Sequence, residues 1–368
     1  MNNAVLAFED GSVFRGKAFG AKKTAVGEVV FNTSMMGYEE LLSSPSNYMN
    51  ILTMTFVEVG CYGINEEDVE SDSAKVSGLV VAQDCEVPSN WRCKMSLNDY
   101  LVKHGVPAIS GIDTRAITRK LRDKGAMKAC ISTEDISDAD AIERAKQWQG
   151  FEGVDYVKDV SCKEAYRAED KFAIKPFELG GVHIDSRERK TPLRKCVAID
   201  FGANRSLLAG LAYNGFDVMV VPANTSAEEI EKLAPECVFL TDGAGDATAL
   251  TYAHETVATL AKKYPTFAVG LGMQVLAYAF GGKTIKLPFG HHGGNHPVKN
   301  LAEDKVKITS QNNAFAVDAK SLEGSEMEIT EVNHTDGSVA GIKHKSLNAW
   351  GVQYYPEVAL LDKFYASL

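Results

Sequence analysis

Two glycine-rich turns are the places in this 368-residue chain where the backbone itself offers chemistry. 'DGAGD' at 242–246 and 'GLG' at 270–272 each follow a short apolar run, and each can cradle an anion through backbone N–H groups. A glycine turn that merely closes a strand is the plainer reading of both. Neither turn completes GxGxxG and no Walker pattern occurs, so no nucleotide and no other cofactor is expected. The second turn lies in 'PTFAVGLGMQVLAYAFGG', Pro265 to Gly282, where strand character at Thr266 to Val269 runs through Gly270 into an apolar segment of helical length. Sharp strand-to-helix turns of this kind lift a nucleophile above the sheet in several α/β enzymes. Here the apex residue, Gly270, has no side chain. No Gly-x-Ser-x-Gly occurs, and neither Ser nor Cys stands on any such turn. 'FGHHGGNHP' at 289–297 holds three of the eight histidines, with no Cys or carboxylate at a ligand spacing nearby. Its glycines and proline predict a constrained, hydrogen-bonded turn, and no metal site is expected.

The elements that must position these turns follow from the rhythm of the second half. 'KCVAID' predicts a strand ending in 'FGANRS', followed by the helix 'LLAGLAYNG'. Then come the strand 'FDVMVVP', a Thr225-Ser226 cap and the helix 'AEEIEKL'. 'CVFL' is a third strand ending in 'TDGAGDA', followed by the helix 'YAHETVATLAKKY', and the Gly270 segment supplies the fourth unit. Such alternation implies right-handed βαβ crossovers and a parallel, doubly wound sheet. Ligands in such sheets sit beyond the carboxyl ends of the strands, which points to the loops Phe201 to Arg205, Thr241 to Asp246 and Gly270 to Met273. After Lys283 the pattern changes to hairpin-like strands and a short helical tail.

The first half reads differently. Short β-like runs ('AVLAFEDGSVFRGKAFG', 'GEVVFNTS', 'NILTMTFV', 'SGLVVAQD') precede helical patterns at 'SLNDYLVKHG', 'RAITRKLRDKG' and 'SDADAIERAKQW'. Asp113-Thr114 offers a cap to the second of these, and Gly125 offers a stop. The expected organisation is a mixed α+β domain over 1–150, a connector over 151–194 with a short helix near Ser161 to Arg167, and an α/β domain over 195–368. The charged stretch 'HIDSRERKTPLRK' falls in the connector.

Composition sets outer limits. A hydrophobic content of 45% with 24% charged residues is ordinary for a globular protein. A formal net charge of -10 argues against a nucleic-acid partner. No apolar run approaches the roughly 20 residues of a membrane span. The start 'MNNAVLAFEDGSVFRG' lacks the basic residues and apolar run of a signal peptide. Seven cysteines without CxxC spacing fit reduced thiols better than a disulfide frame. A cytoplasmic setting is expected.

Nearly the whole chain resembles the carbamoyl-phosphate synthetase small-subunit family. The resemblance rests on 'FEDGSVFRGKAFG', 'AVGEVVFNTSMMGYEELLSSPSNY', 'ISGIDTRAITRKLRDKGAM', 'AIDFGANRS', 'VVPANTSAEEI', 'FGHHGGNHPVK' and 'QNNAFAVD'. It implies a small-subunit-specific N-terminal domain, then a class I glutamine amidotransferase domain of flavodoxin-like, doubly wound fold. That family hydrolyses glutamine with a Cys-His-Glu triad: Cys on an elbow reading G-[IV]-C-L-G-H-Q, His and Glu in a G-H-P-E motif. This chain reads 'AVGLGMQ' and 'YYPE' there, which places Gly270 at the nucleophile position and Tyr355 at the general-base position, and keeps Glu357 alone. Ser46, Gly243, Gly245, Leu271, Gln274, Asn312 and Phe315 match the family's glutamine pocket. Departures surround them: 'DGAGDA' for N-G-P-G-D-P, Met273 for the elbow His, Ala314 and Tyr354 for Gly, and Cys61 for Asn.

A glycine cannot form the thioester, and a phenol of ordinary pKa near 10 is a poor base at neutral pH. Neither Tyr355 nor Asp242, both expected near the pocket, is a promising replacement nucleophile. The resemblance therefore implies a small subunit without glutaminase activity. Its partner would be a synthetase large subunit or a paralogue of it, which would then use free ammonia to make carbamoyl phosphate. The rival reading is a small-molecule-binding protein or new enzyme, with Tyr354 and Tyr355 reshaping the pocket wall for another ligand. The third is an ordinary glutamine-hydrolysing small subunit.

Overall fold

The computed structural model describes residues 3–172 and 189–368, with the backbone of the two-residue strands Glu178–Leu179 and Val182–His183. Two compact units emerge: Met1–Phe151 with Leu287–Asn295, and Glu152–Lys286 with His296–Leu368.

In the first unit seven strands close into a barrel: β1 (Asn3–Phe8), β2 (Val13–Gly20), β3 (Thr24–Asn32), β4 (Asn50–Met54), β5 (Gly78–Val80), β6 (Pro107–Ser110) and β7 (Met127–Ser132). Their order is β1-β2-β6-β5-β4-β3-β7, and β7 returns antiparallel to β1. Side chains alternate across a strand, and β1 shows both destinations. Ala4, Leu6 and Phe8 join Val29, Ile51, Val80 and Ile109 in one core. Val5 and Ala7 pack instead with Ala141 and Ala145. Those two alanines belong to α2 (Asp138–Gln147), which follows α1 (Thr114–Lys124). Asp113 caps α1 by accepting from Ala116 N–H at 2.8 Å, and Gly125 ends it at φ 93, as the sequence predicts. Closure of the barrel was not legible in the strand pattern, because pairing order leaves no mark on local alternation.

The second unit is built on a ten-stranded sheet. Five strands form its parallel part: β8 (Arg194–Asp200), β9 (Phe216–Pro222), β10 (Cys237–Leu240), β11 (Thr266–Val269) and β16 (Ala349–Val352). Their order is β9-β8-β10-β11-β16, the flavodoxin-like arrangement. The sheet continues antiparallel through β15 (Val339–His344) and β14 (Met327–Asn333) to β12 (Thr284–Asn300) and β13 (Lys305–Val317). Parallel strands are buried on both faces and so read as unbroken apolar runs. Val197, Ile199, Val238, Leu240 and Ala268 face α4 (Ala227–Lys232), α5 (Thr251–Ala261) and α6 (Leu271–Ala279). Cys196, Ala198, Phe239, Phe267 and Val269 face α3 (Arg205–Tyr213) and α7 (Val358–Ala366).

Two expectations are corrected. No helix spans Ser161 to Arg167: Ser161 is extended at the end of the turn Val157–Val160, and Tyr166–Arg167 pairs with Val220 and Met219 as an edge strand. Nor is 'FGHHGGNHP' a turn, because it lies inside β12. Gly290, at φ 70, takes a left-handed conformation within that strand, so the glycine bends the strand without ending it. His291 and His292 are buried there. Residues 184–188 of the predicted charged connector lie outside the described residues.

Candidate functional site

The strand order reverses between β8 and β10, so the crevice beyond their carboxyl ends is the place for a site. The three loops that the sequence pointed to meet there. Thr241 Oγ1 accepts from Phe201 N–H at 2.9 Å, and Gly272 N–H donates to Thr241 O at 3.0 Å. Glycine is required at two of these contacts. A Cβ on Gly243 would stand 2.1 Å from Phe201 O, and one on Gly272 would stand 2.5 Å from Leu240 O. Backbone approaches of this kind hold the loops as one rigid floor.

Above that floor β11 turns into α6 through Gly270, whose backbone is at φ 55, ψ -118. Its N–H donates to Val352 O at 2.9 Å, and its carbonyl accepts from Met273 N–H at 3.1 Å. The turn is thus held from β16 on one side and from its own helix on the other. A non-glycine residue adopts such φ/ψ at a cost of about 1–3 kcal/mol, which is the strain that elbows carry at reactive positions.

The space a side chain would need at Gly270 is taken. An ideal Cβ there would lie 2.0 Å from Asp242 Oδ1 and 2.5 Å from Asp242 Cγ. Asp242, only 5% exposed, accepts from the N–H of Leu271 at 3.0 Å. Burial pushes its carboxyl up to about 6, and the nearby N–H groups of Leu271 and Gly243 and the Tyr355 hydroxyl restrain the rise. The Tyr355 hydroxyl in turn accepts from Asn204 Nδ2 at 2.5 Å. Asn204 thus holds the Tyr355 hydroxyl near Asp242, and the Leu271 N–H holds the Asp242 carboxylate.

Comparison with known proteins follows the same line. The family model for "Carbamoyl-phosphate synthase small chain, CPSase domain" matches residues 6–131, and that for "Glutamine amidotransferase class-I" matches residues 197–363. The carbamoyl phosphate synthase small chain of Syntrophotalea carbinolica is 45% identical over 97% of this chain and 93% of its own length. That of Akkermansia muciniphila is 46% identical over 97% and 92%, and that of Aquifex aeolicus 42% over 96% and 93%. The chain belongs to the carbamoyl-phosphate synthase small-chain family. The family resemblance and the fold class expected from the sequence both hold.

Within this small chain, the remaining pocket residues divide by location. Gln274, on α6, donates through Nε2 to Phe315 O at 3.0 Å and to Gln353 Oε1 at 3.1 Å. Asn313 Nδ2 also reaches Phe315 O, at 2.9 Å, so Gln274 and Phe315 are joined directly. Asn312 and Ala314 alternate with these on β13 and are half-buried. Gly245 takes φ 90 in the loop after β10, close to Tyr156. Ser46 belongs to the first unit, where the turn Pro45–Asn47 holds it and its Oγ meets Ser44 Oγ at 2.9 Å.

Two sequence-level assignments change. Tyr354 does not shape a pocket wall: it is 1% exposed, packed in the core beside Val269 and Val352, and its hydroxyl donates to Glu331 Oε2 at 2.6 Å. Burial and the Glu331 charge hold its phenol well above the usual range. Of the two tyrosines, Tyr355 is the one that lies near Asp242 at the elbow. Glu357 is exposed and sits at the start of α7 without capping that helix. Asp242 is the residue that sequence reasoning underrated. Its signal was the Asp itself, standing where the family motif carries Asn.

The cysteines also hold a grouping that spacing did not reveal. Ligand atoms of Glu58, Cys61 and Cys85 lie within 4.8 Å of one another. Parallel pairing of Glu58–Val59 with Gln83–Asp84 brings them together. Desolvation, then the neighbouring Cys85 and Glu58, hold the Cys61 thiol above its usual range.

Proposed function

We propose that this small chain does not hydrolyse glutamine and serves as a structural or regulatory subunit of a synthetase that takes free ammonia. The observation that carries this reading is Gly270. Its backbone holds the geometry of a nucleophile elbow while offering no atom that can attack. Acyl transfer from glutamine needs a thiolate at that apex, a base to accept its proton, and donors for the oxyanion. In the family frame the first is replaced by hydrogen and the second by the Tyr355 phenol. Asp242 does not make good the loss, because its Oδ1 lone pairs are directed at the backbone N–H of Leu271.

A docking role is supported by the two compact units and by a match to small chains that spans nearly the entire length. The partner proposed is a large synthetase subunit or a paralogue of it. Repurposing of the pocket for another ligand has less support, since Tyr354 is turned into the core. The test is co-purification with a large subunit, followed by carbamoyl phosphate assays with glutamine or with ammonium. Ammonium-dependent synthesis without glutamine-dependent synthesis is expected. Glutamine-dependent turnover by the complex would overturn the reading.

A further inference from the structure

The backbone donor beside the elbow apex is already in use. Leu271 N–H, the first backbone donor after the apex, is the group that an acyl oxygen would claim at this site, and it is bonded to the Asp242 carboxylate. The same carboxylate oxygen lies where a Cβ on Gly270 would have to stand. We infer that Asp242 is a built-in ligand that fills the former oxyanion hole and shuts acyl oxygens out of it, with Tyr355 and Asn204 holding it in place.

This inference rests on the reading of Gly270 as an emptied nucleophile elbow, and it extends that reading from loss to replacement. A site that had only lost its sulfur would retain a free donor and a gap at the apex. This one has neither. A carboxylate has the planar, two-oxygen shape and negative charge that such a donor favours, so Asp242 satisfies it better than the neutral Asn of the family motif. The Tyr355 hydroxyl lies near Asp242, and Asn204 Nδ2 donates to that hydroxyl. Gly270 and Asp242 are therefore mutually dependent: the glycine is needed because the carboxylate occupies its side-chain volume. Restoring a nucleophile alone would create a 2.0 Å collision and place a thiol against a negative charge.

A stability cycle reads the occupancy without any assay of glutamine hydrolysis. Urea unfolding is measured for wild type, Gly270→Ala, Asp242→Gly and the double variant. The strain of alanine at this φ/ψ is common to both backgrounds and cancels. Asp242→Gly is expected to relieve the alanine's effect on the unfolding constant by at least tenfold. Where Gly270→Ala fails to fold, recovery of folded protein by Asp242→Gly is the supporting result, and failure to recover it is the contrary one. Peptide-resolved alkylation by iodoacetamide then follows the thiol of Gly270→Cys at pH 7.5. Adding Asp242→Asn is expected to speed it at least tenfold, because the neighbouring charge no longer opposes the thiolate. Coupling below twofold, or equal alkylation rates, would overturn the inference. Glutamine hydrolysis by the wild type would instead sink the proposed function, so the two failures are separable.

Discussion

Two strand-to-helix junctions of the same sheet are built on opposite plans. At the end of β9 the chain enters α4 through Ser226, at φ -71, ψ 159, in a relaxed extended conformation. Its hydroxyl accepts from Glu229 N–H and the Glu229 carboxylate accepts from Ser226 N–H, a complete capping box. At the end of β11 the chain enters α6 through Gly270, at φ 55, ψ -118, with no side-chain cap. The first junction uses its side chain to stabilise the helix. The second leaves its helix without a side-chain cap and takes a strained conformation. On the proposed reading, that shape is catalytic geometry without its reactive group.

That contrast breaks most sharply at the apex. Gly270→Cys adds backbone strain of about 1–3 kcal/mol and overpacking of similar size. A loss of about 4 kcal/mol in urea unfolding is expected, and a change below about 1 kcal/mol would mean the apex is an ordinary turn.

Asp242 gives the next effect, and its sign is set by burial. The folded carboxyl is raised to about 6, above the unfolded value near 3.9. Its stabilising contribution is therefore complete below about pH 4 and is lost as pH rises to about 6. Relative to wild type, Asp242→Asn is expected to gain about 2 kcal/mol between pH 4 and pH 7. Tyr355 is the titratable side chain near Asp242. Glu39 and Glu40, also raised by burial in the first unit, titrate alike in both proteins and cancel in the difference. A difference flat with pH would remove the charge from the hole.

At the ordinary junction, Ser226→Ala should cost about 1 kcal/mol by thermal or urea unfolding, with no change in the Gly270 or Asp242 responses. Coupling to either would mean the two junctions are not independent.

The parallel sheet was legible because its strands are apolar on both faces and alternate with helical segments, one of them opened by the Ser226 capping box. Both signals are local. Loop convergence was legible too, since the loops at the carboxyl ends of parallel strands in a doubly wound sheet lie at one edge. What escaped depended on partners distant in sequence. Barrel closure pairs β1 with β7, and the burial of Tyr354 depends on Glu331 of another strand. The 'FGHHGGNHP' segment carries turn residues, yet its place inside β12 overrides them. Asp242 was visible as a residue but not as an occupant, because occupancy is a matter of the 2.0 Å between its oxygen and an atom the chain lacks.

The central claim is that this elbow cannot turn over glutamine. The direct measurement is ammonia release from glutamine by the purified wild-type chain, alongside Gly270→Cys/Tyr355→His. The account predicts no release above the uncatalysed background from the wild type and little from the double variant, whose restored thiol still faces Asp242. Sustained release by the wild type would contradict it.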